Sequence, residues 1–452
     1  MTEAQYANWL ADLSAPRIVL CELDYAGGTE YVSTHPFISK PTDSAPNRIY
    51  DDLLVDAIDI ETRIDGLISF GEITLVDDGE ISHWVDRAWQ GHGIRLYLGG
   101  PGWSRDDFRL HAVGINGGIT SARRGEITFE MTDQSAVFDE PIDTGSLPDD
   151  AGPVPLALGS VYNAPAYRTS DGTQYEYKAS FLPCLSLTPK EGGSSAVTVT
   201  NHPTEGRFVL DAPVALELTV DIDEQHNTPT KIAQWVADYY GKEVADINLP
   251  DVLVGLYYNS EVTGRQVLDA LCAGLGAYWY LSALDQLIVR QHAIPAVADV
   301  TLFDDDIEYD QISLSETQSP WASLVLNWGR NYSPISQVAG VIEDDNATEA
   351  ARLKREWSES KAEQSLPDYP LAEDVTRDSC IAHLLDAETE RNRLLAIRSV
   401  RRDVYAIDAF MPVVEVGQSI AVDHPRLAGR LGRIISVSRS PTRGITSIEV
   451  WV

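Results

Sequence analysis

Basic residues are scarce in this sequence. Its 34 lysines and arginines face 69 aspartates and glutamates, which leaves a formal net charge of −35. That excludes general binding to nucleic acid or to an anionic membrane, since both need a basic footprint. Cysteine is also sparse: Cys21, Cys184, Cys272 and Cys380 stand far apart, with no CxxC pair. A zinc site, a redox motif and a disulfide framework are therefore unsupported. No apolar run approaches the ~20 residues of a spanning helix, so membrane insertion is not expected. The opening MTEAQYANWLADL is neither basic nor apolar enough for a secretory signal. The expectation is a soluble protein made in a reducing cytoplasm.

Motifs of catalysis are missing too. There is no GxSxG elbow, Walker loop, HExxH or strand-borne GxGxxG. His83, His92 and His111 lack metal-ligand spacing. Carboxylates are so abundant that a glycosidase pair has no meaning without geometry. The reading is therefore no enzyme, no cofactor and no metal.

What is present is β-rich patterning around one α+β stretch, EVTGRQVLDALCAGLGAYWYLSALDQLIVR at 261–290. Thr263 can cap a helix whose apolar face is Val267, Leu268, Leu271, Cys272 and Leu275. Gly276 follows the last apolar position and can end it. Tyr278–Leu281 and Leu287–Arg290 then flank a turn at Ser282–Gln286. This unit reads as a connector between two β domains. A preceding helix opens at Thr228-Pro229, with Ile232, Trp235, Val236 and Tyr239 as its stripe.

Upstream, a short helix at 4–13 precedes roughly eight strands. They fall at 17–24, 30–33, 54–60, 71–75, 80–85, 94–98, 108–115 and 125–131, dense enough for a barrel. The turn Asp77-Asp78-Gly79 signals a hairpin. Residues 139–154 read as a linker, followed by strands of a smaller β unit. Downstream, strand signals resume at 299–345. Helices are expected at 347–360 and 376–398, the latter with Ile381, Leu384, Leu385 and Leu395 on its apolar side. Strands at 413–416, 419–422, 432–438 and 444–450 close the chain. GRIISVSRSPTRGITSIEVWV near the end parallels RLHAVGINGGITSARRGEITFEM at 109–131: strand, turn with Arg and Gly, strand. This is an internal repeat. The expected fold is α+β and β-rich, with two β-barrel domains joined by a small β unit and an α+β domain. The boundaries are 1–140, 141–225, 226–296 and 297–452, with a helical insertion at about 347–400.

Charge is patterned. Residues 51–86 carry eleven acids and one base, Arg63. Alternation such as Ile58-Asp59-Ile60-Glu61 puts acids on one strand face. A second acid run lies at 304–310. Arg391, Arg393, Arg398, Arg401 and Arg402 form the basic cluster, which reads either as a solvated face or as a docking surface for acidic neighbours.

The order of segments resembles the baseplate or tail-tip hub proteins of long-tailed, siphophage-type bacteriophages, a family related to the T4-type and gene-transfer-agent hubs. Four stretches carry this: YANWLADLSAPRIVLCELD, GPVPLALGSVYNAPAYRTSDGTQYEY, TPTKIAQWVADYYG with VTGRQVLDALCAGLGAYWYLSALDQLIVR, and ASLVLNWGRNYSPISQVAGVI with the closing LGRIISVSRSPTRGITSIEVWV. The resemblance implies a structural virion protein at the distal end of the tail. It implies a homotrimer whose two barrels per chain build a pseudo-sixfold ring joining tail tube to tip. Expected neighbours are a distal tail or tail-tube protein, a tape-measure protein and tip or fibre proteins, with phage DNA passing through unbound. Channel-lining candidates are Asp51, Asp52, Asp56, Asp59, Glu61, Asp304, Asp305 and Asp306. The five arginines are the candidates for docking between subunits. A competing reading is a carbohydrate-binding, host-adsorption protein using Trp89, Tyr97 and Trp103.

Overall fold

Val19, Cys21 and Leu23 alternate with Ile18 and Leu20, and both sets are buried. The strand Ile18–Tyr25 therefore lies between two cores, one on each face. The structure is a computed structural model. It describes residues 1–452 except 56–58, 65–67, 170–174, 196, 411–413, 428 and 441–444, and except the side chains of residues 68, 309 and 310.

The first barrel runs, in spatial order, through Gly28–Ser33, Ile18–Tyr25, Gly93–Gly99, Arg109–Arg123, Glu126–Thr132 and Ile73–Val76. A crossing segment closes it. Ile49–Asp52 lies parallel to Gly28–Ser33. The chain then carries on to the opposite edge. The Leu54 amide donates to the Ser33 carbonyl of the edge it leaves (3.1 Å), while at the edge it reaches Val55 donates to Thr74 (3.0 Å) and Val76 back to Leu53 (2.7 Å).

The second barrel runs through Val300–Phe303, Ser419–Asp423, Leu431–Arg439, Thr446–Trp451, Arg402–Ala409 and Ile307–Gln318. Leu302, Ile312, Ile407, Val422, Ile434 and Val450 fill it. The Arg426 guanidinium donates to the Ile312 carbonyl, and Leu427 is fully buried beside this seam.

The two barrels share the order of six segments, while Gly28–Ser33, Phe37–Ile38 and Ile49–Asp52 are additional to the first. Ile18–Tyr25, Gly93–Gly99, Arg109–Arg123, Glu126–Thr132, Ile73–Val76 and the Leu53–Val55 crossing neighbour one another in sequence around the first. Val300–Phe303, Ser419–Asp423, Leu431–Arg439, Thr446–Trp451, Arg402–Ala409 and Ile307–Gln318 do so around the second, at the same relative places along the chain. The opening strand alone differs in direction, antiparallel to its neighbour in one barrel and parallel in the other.

An arm joins them. Ile60–Arg63 and Ile68–Phe70 form a hairpin that leaves the first barrel, and Ile60–Arg63 pairs with Leu431–Arg439 of the second. The Ile64 amide donates to the Ile435 carbonyl.

The α+β unit sits between the barrels. Helices Pro229–Tyr239 and Gly264–Gly274 cover a sheet of Glu243–Asn248, Gln286–Gln291 and Ala277–Leu281. Thr263 and Gln266 form a complete capping box, and Gly276 takes φ +50° past the helix end. The hairpin divides its side chains by strand alternation. Trp279, Leu281, Leu287 and Val289 join the core shared with the first barrel, while Tyr278, Tyr280 and Ile288 join the core of the second. Each such burial contributes about 1.5–3 kcal/mol, so one hairpin fastens to both barrels. The smaller β unit has its own core of Ala157, Val161, Leu187, Phe208 and Ile222. It borrows Gly255–Tyr258, which pairs with Leu156–Pro165.

Several expected elements differ. Residues 80–85 form no strand but a 3-10 turn, Ser82–Asp86. Ile81 and Trp84 are buried at a spacing of three, which a strand cannot place on one face. Of the strand expected at 54–60, Leu54 makes one bridge and 56–58 lie outside the described residues. The helix expected at 347–360 stops at Leu353, and Ser358–Glu363 is a strand on Trp321–Trp328. Long-range pairing overrides its helix-favouring glutamates, lysine and alanine. The helix expected at 376–398 is Leu384–Ile397, preceded by the strand Glu373–Asp378. Leu384 and Leu385 are exposed; Ala387, Leu394, Leu395 and Ile397 are its buried apolar side. Thr228 has extended geometry at the helix start, without a side-chain cap.

Candidate functional site

Five of the eight acidic candidates, Asp51, Asp52, Asp304, Asp305 and Asp306, lie at one corner of each barrel. In the first, Asp51 and Asp52 are exposed at the end of a short strand, directly before the Leu53–Val55 crossing. That crossing pairs with the end of Ile73–Val76, so Asp77 and Asp78 follow beside it. In the second, Asp304–Asp306 form a 3-10 turn directly before Ile307–Gln318. That strand begins against the end of Arg402–Ala409, and the Phe410 amide donates to the Asp306 carbonyl. The two acid groups thus occupy equivalent places in a shared topology. Asp304 and Asp305 are exposed, with His424 Nε2 at 3.5 Å from Asp304. Asp306 is half-buried and accepts the Phe303 amide at 3.1 Å.

Asp59 is exposed at the root of the arm. Glu61 is half-buried within it, accepting from Arg63 (3.3 Å) and Ser436 (3.4 Å). Asp56 lies outside the described residues.

The five arginines do not form one face. Arg391 ties its helix to Ser360 (2.6 Å) and the Lys361 carbonyl. Arg393 grips Glu390 at 2.6 and 2.8 Å and donates to the Leu275 carbonyl. Arg398 donates to Gln318 and to the Ser319 carbonyl. Arg402 donates to the Ile397 carbonyl and covers Trp451. Arg401 is exposed, held by Asp403 at 2.8 and 3.0 Å.

The aromatic candidates are occupied by packing. Trp89 is buried against Trp84 and Phe129. Trp103 packs on Trp9 of the N-terminal helix, and Arg105 lies 3.7 Å from the Tyr97 ring centroid. All four cysteines are free and buried. His111 is half-buried, and desolvation of its ring, with the Arg439 charge, pushes its pKa down to about 4. Among the described residues, no His, Cys, Asp and Glu cluster could hold a metal, and no helix is long and apolar enough to cross a membrane.

One polar cluster escaped the sequence reading. Glu22, buried in the first barrel, accepts from Tyr50 (2.8 Å), Arg105 (3.0 Å) and Arg95 (3.2 Å). Arg95 also bridges to Asp24 at 2.7 and 3.0 Å. Burial alone would raise the Glu22 pKa. The hydrogen bonds from Tyr50 and Arg105, with the Arg105 charge, outweigh it and hold the carboxylate below its usual range. The cluster pins three strands, Ile18–Tyr25, Ile49–Asp52 and Gly93–Gly99, and the turn at Arg105.

Among the solved structures similar to this chain are phage and prophage tail proteins. A 43 kDa tail protein of prophage MuSo2 from Shewanella oneidensis aligns over 96% of this chain and 98% of its own, at 11% identity and a TM-score of 0.47. A tail protein from Neisseria meningitidis MC58 aligns over 97% of both chains, at 10% identity and 0.46. A chain of a native gene transfer agent particle covers 70% of this chain and 91% of its own, at 13% and 0.45. No family model and no curated protein matches the sequence.

Proposed function

We propose that this chain is a structural protein of a phage-type tail, the hub of its tip. In this reading three copies close into a ring of six alternating barrels, which joins a sixfold tube to a threefold tip. The observation that carries it is the repeated barrel: one chain holds two barrels that share the order of six segments, each with exposed acids at the same corner. Three such chains present six quasi-equivalent units, the property an adaptor between sixfold and threefold symmetry needs. Acids at equivalent corners would then recur six times around the axis. A negative lumen repels the DNA backbone, so DNA slides without sticking. The order of sequence segments supports the same reading. Its partners are a distal tail or tube protein, the tape-measure protein and tip or fibre proteins, and it performs no turnover.

The test is antibody-gold labelling of intact particles under negative-stain microscopy, with copy number from quantitative mass spectrometry. Gold at the distal tail end and three copies per particle are expected. Label along the whole tail, on the capsid or on no particle overturns the reading.

A further inference from the structure

A cavity of about 640 Å³ opens where the second barrel, the helix Leu384–Ile397 and the strand Glu373–Asp378 meet. Its walls are partly apolar, with Ile64, Leu394, Ile397 and Trp451 among them. Its charged lining runs against the rest of the molecule, for it includes Arg377, Arg398 and Arg433 in a chain with about twice as many acids as bases.

Arg391 and Arg402 donate to neutral groups, but many arginines elsewhere are matched to carboxylates: Arg95 to Asp24, Arg265 to Asp139, Arg290 to Asp246, Arg401 to Asp403. Arg377 and Arg398 are not. Their guanidiniums lie against the same indole, Trp321, at 4.8 and 5.1 Å from its ring. Among the described residues neither has a carboxylate within ion-pair distance. Arg377 makes no side-chain hydrogen bond there. Arg398 Nη2 donates to the Ser319 carbonyl at 3.3 Å and Nη1 to Gln318, but its Nε is buried without a partner. The carboxylate that acts on Arg377 at longer range is Glu390, already gripped by Arg393. Glu316 and Glu373 line the cavity as exposed residues and act on Arg398 at longer range, without ion-pair contact. Arg433 donates to the Ala293 and Gly417 carbonyls and, among the described residues, has no carboxylate in ion-pair contact. The local field is positive enough to be felt at His292 in the same wall. Burial, with the charges of Arg393, Arg433 and Arg377, pushes its pKa down to about 4.

Two like charges that repel one another in the lining of one cavity, partly desolvated and with no carboxylate in ion-pair contact, are costly. The cost is relieved when an anion enters. We propose that this cavity is a binding site for a phosphate-class dianion, with Arg377 and Arg398 as its charged ligands. Two guanidiniums call for two negative charges, and a phosphate group offers acceptor oxygens to both forks. The inference is independent of the ring.

The experiment compares thermal unfolding of the full chain in sodium phosphate and in sodium chloride at equal ionic strength and pH 7.5, with titration calorimetry against inorganic phosphate. A saturable rise in Tm specific to phosphate is expected. Arg377→Gln and Arg398→Gln should each weaken phosphate binding at least tenfold. Arg401→Gln, which removes an exposed arginine paired elsewhere, should leave it unchanged. Without phosphate, Arg377→Gln should unfold no earlier than the parent, because it removes an unneutralised charge. Phenyl phosphate and glutarate, run as separate arms, tell a phosphoester site from a dicarboxylate one; a preference for glutarate over phosphate overturns the assignment. So does a Tm rise that chloride reproduces, or one that survives in both cavity variants.

Discussion

Replacing Glu22 by alanine tests whether the first barrel is organised by its buried charge cluster. The Glu22 side chain is 7% exposed and accepts from Tyr50, Arg105 and Arg95. Without it Arg48, at 3.7 Å, also loses a partner, and the two hydrogen-bonded arginines are affected unequally. Arg95 keeps two bonds to Asp24, so its charge stays matched. Arg105 keeps only the Tyr50 hydroxyl and the Tyr97 ring, so a buried cation is left unneutralised. Breaking a buried pair from one side costs ~3–5 kcal/mol, and the surviving Arg95–Asp24 bridge places this case near the lower end. For a unit of this size ~3 kcal/mol lowers Tm by roughly 6–12 °C. The pH dependence has a definite sign. The folded-state pKa is depressed, so the stabilisation is complete above the usual glutamate range and is lost as pH falls through the folded value. The gap between parent and variant should therefore be widest near neutrality and narrow in acid. Calorimetric melts at pH 7 and pH 3 read both quantities. A variant melting within about 2 °C of the parent at pH 7, or a gap that widens in acid, refutes the reasoning.

Two further outcomes are expected. Gly255→Ala would place its Cβ 1.9 Å from the Ser160 carbonyl oxygen, inside the Leu156–Pro165 pairing. Backbone must shift there, so we expect a loss of more than about 3 kcal/mol or insoluble protein, read by soluble yield and urea unfolding; a parent-like midpoint counts against the packing. Changing Asp51, Asp52, Asp304 and Asp305 to lysine moves the formal charge by four times two, from −35 to −27. All four are exposed, so stability should move by no more than about 0.5 kcal/mol per site. Particles carrying the variant should eject DNA more slowly at low salt and recover at high salt; ejection indistinguishable from the parent at every salt removes these acids from the lumen.

Local signals were readable in the sequence and distant ones were not. The Thr263 cap, the Gly276 stop and the Tyr278–Leu281 hairpin are decided by neighbours within a few residues, and all three are found where expected. The strand Glu243–Asn248 was missed, because its mixed polar pattern is stabilised by parallel pairing with Gln286–Gln291. Cys184–Glu191 was missed as well; Pro189 argues against a strand until Leu218–Glu224 is seen beside it. Two quoted stretches gain a physical reason. Asn163 takes φ +54°, and its side-chain amide donates to Asn331 (2.7 Å) and to the Ser333 carbonyl (2.6 Å). The asparagines of LGSVYNAP and NWGRNY thus meet in one buried network. Acid richness was legible as composition, but its gathering at equivalent corners needed the strand order. The Glu22 cluster left no local trace, since Arg95 and Arg105 lie 73 and 83 positions away.

The arm has a consequence for assembly. Glu61 and Ser436 are 375 positions apart, so the arm is synthesised long before the strand that receives it. Until then Ile60–Arg63 is an unpaired edge, and the Leu431–Arg439 edge of any finished copy is chemically identical to its own. Pairing within one chain is favoured only by tethering, which is an effective concentration and falls as the intervening chain lengthens. Dilute refolding should therefore yield self-paired monomers. Crowded synthesis on adjacent ribosomes gives exchanged arms an equal footing, and an exchanged arm is a strand-for-strand link between neighbours that requires no new contact.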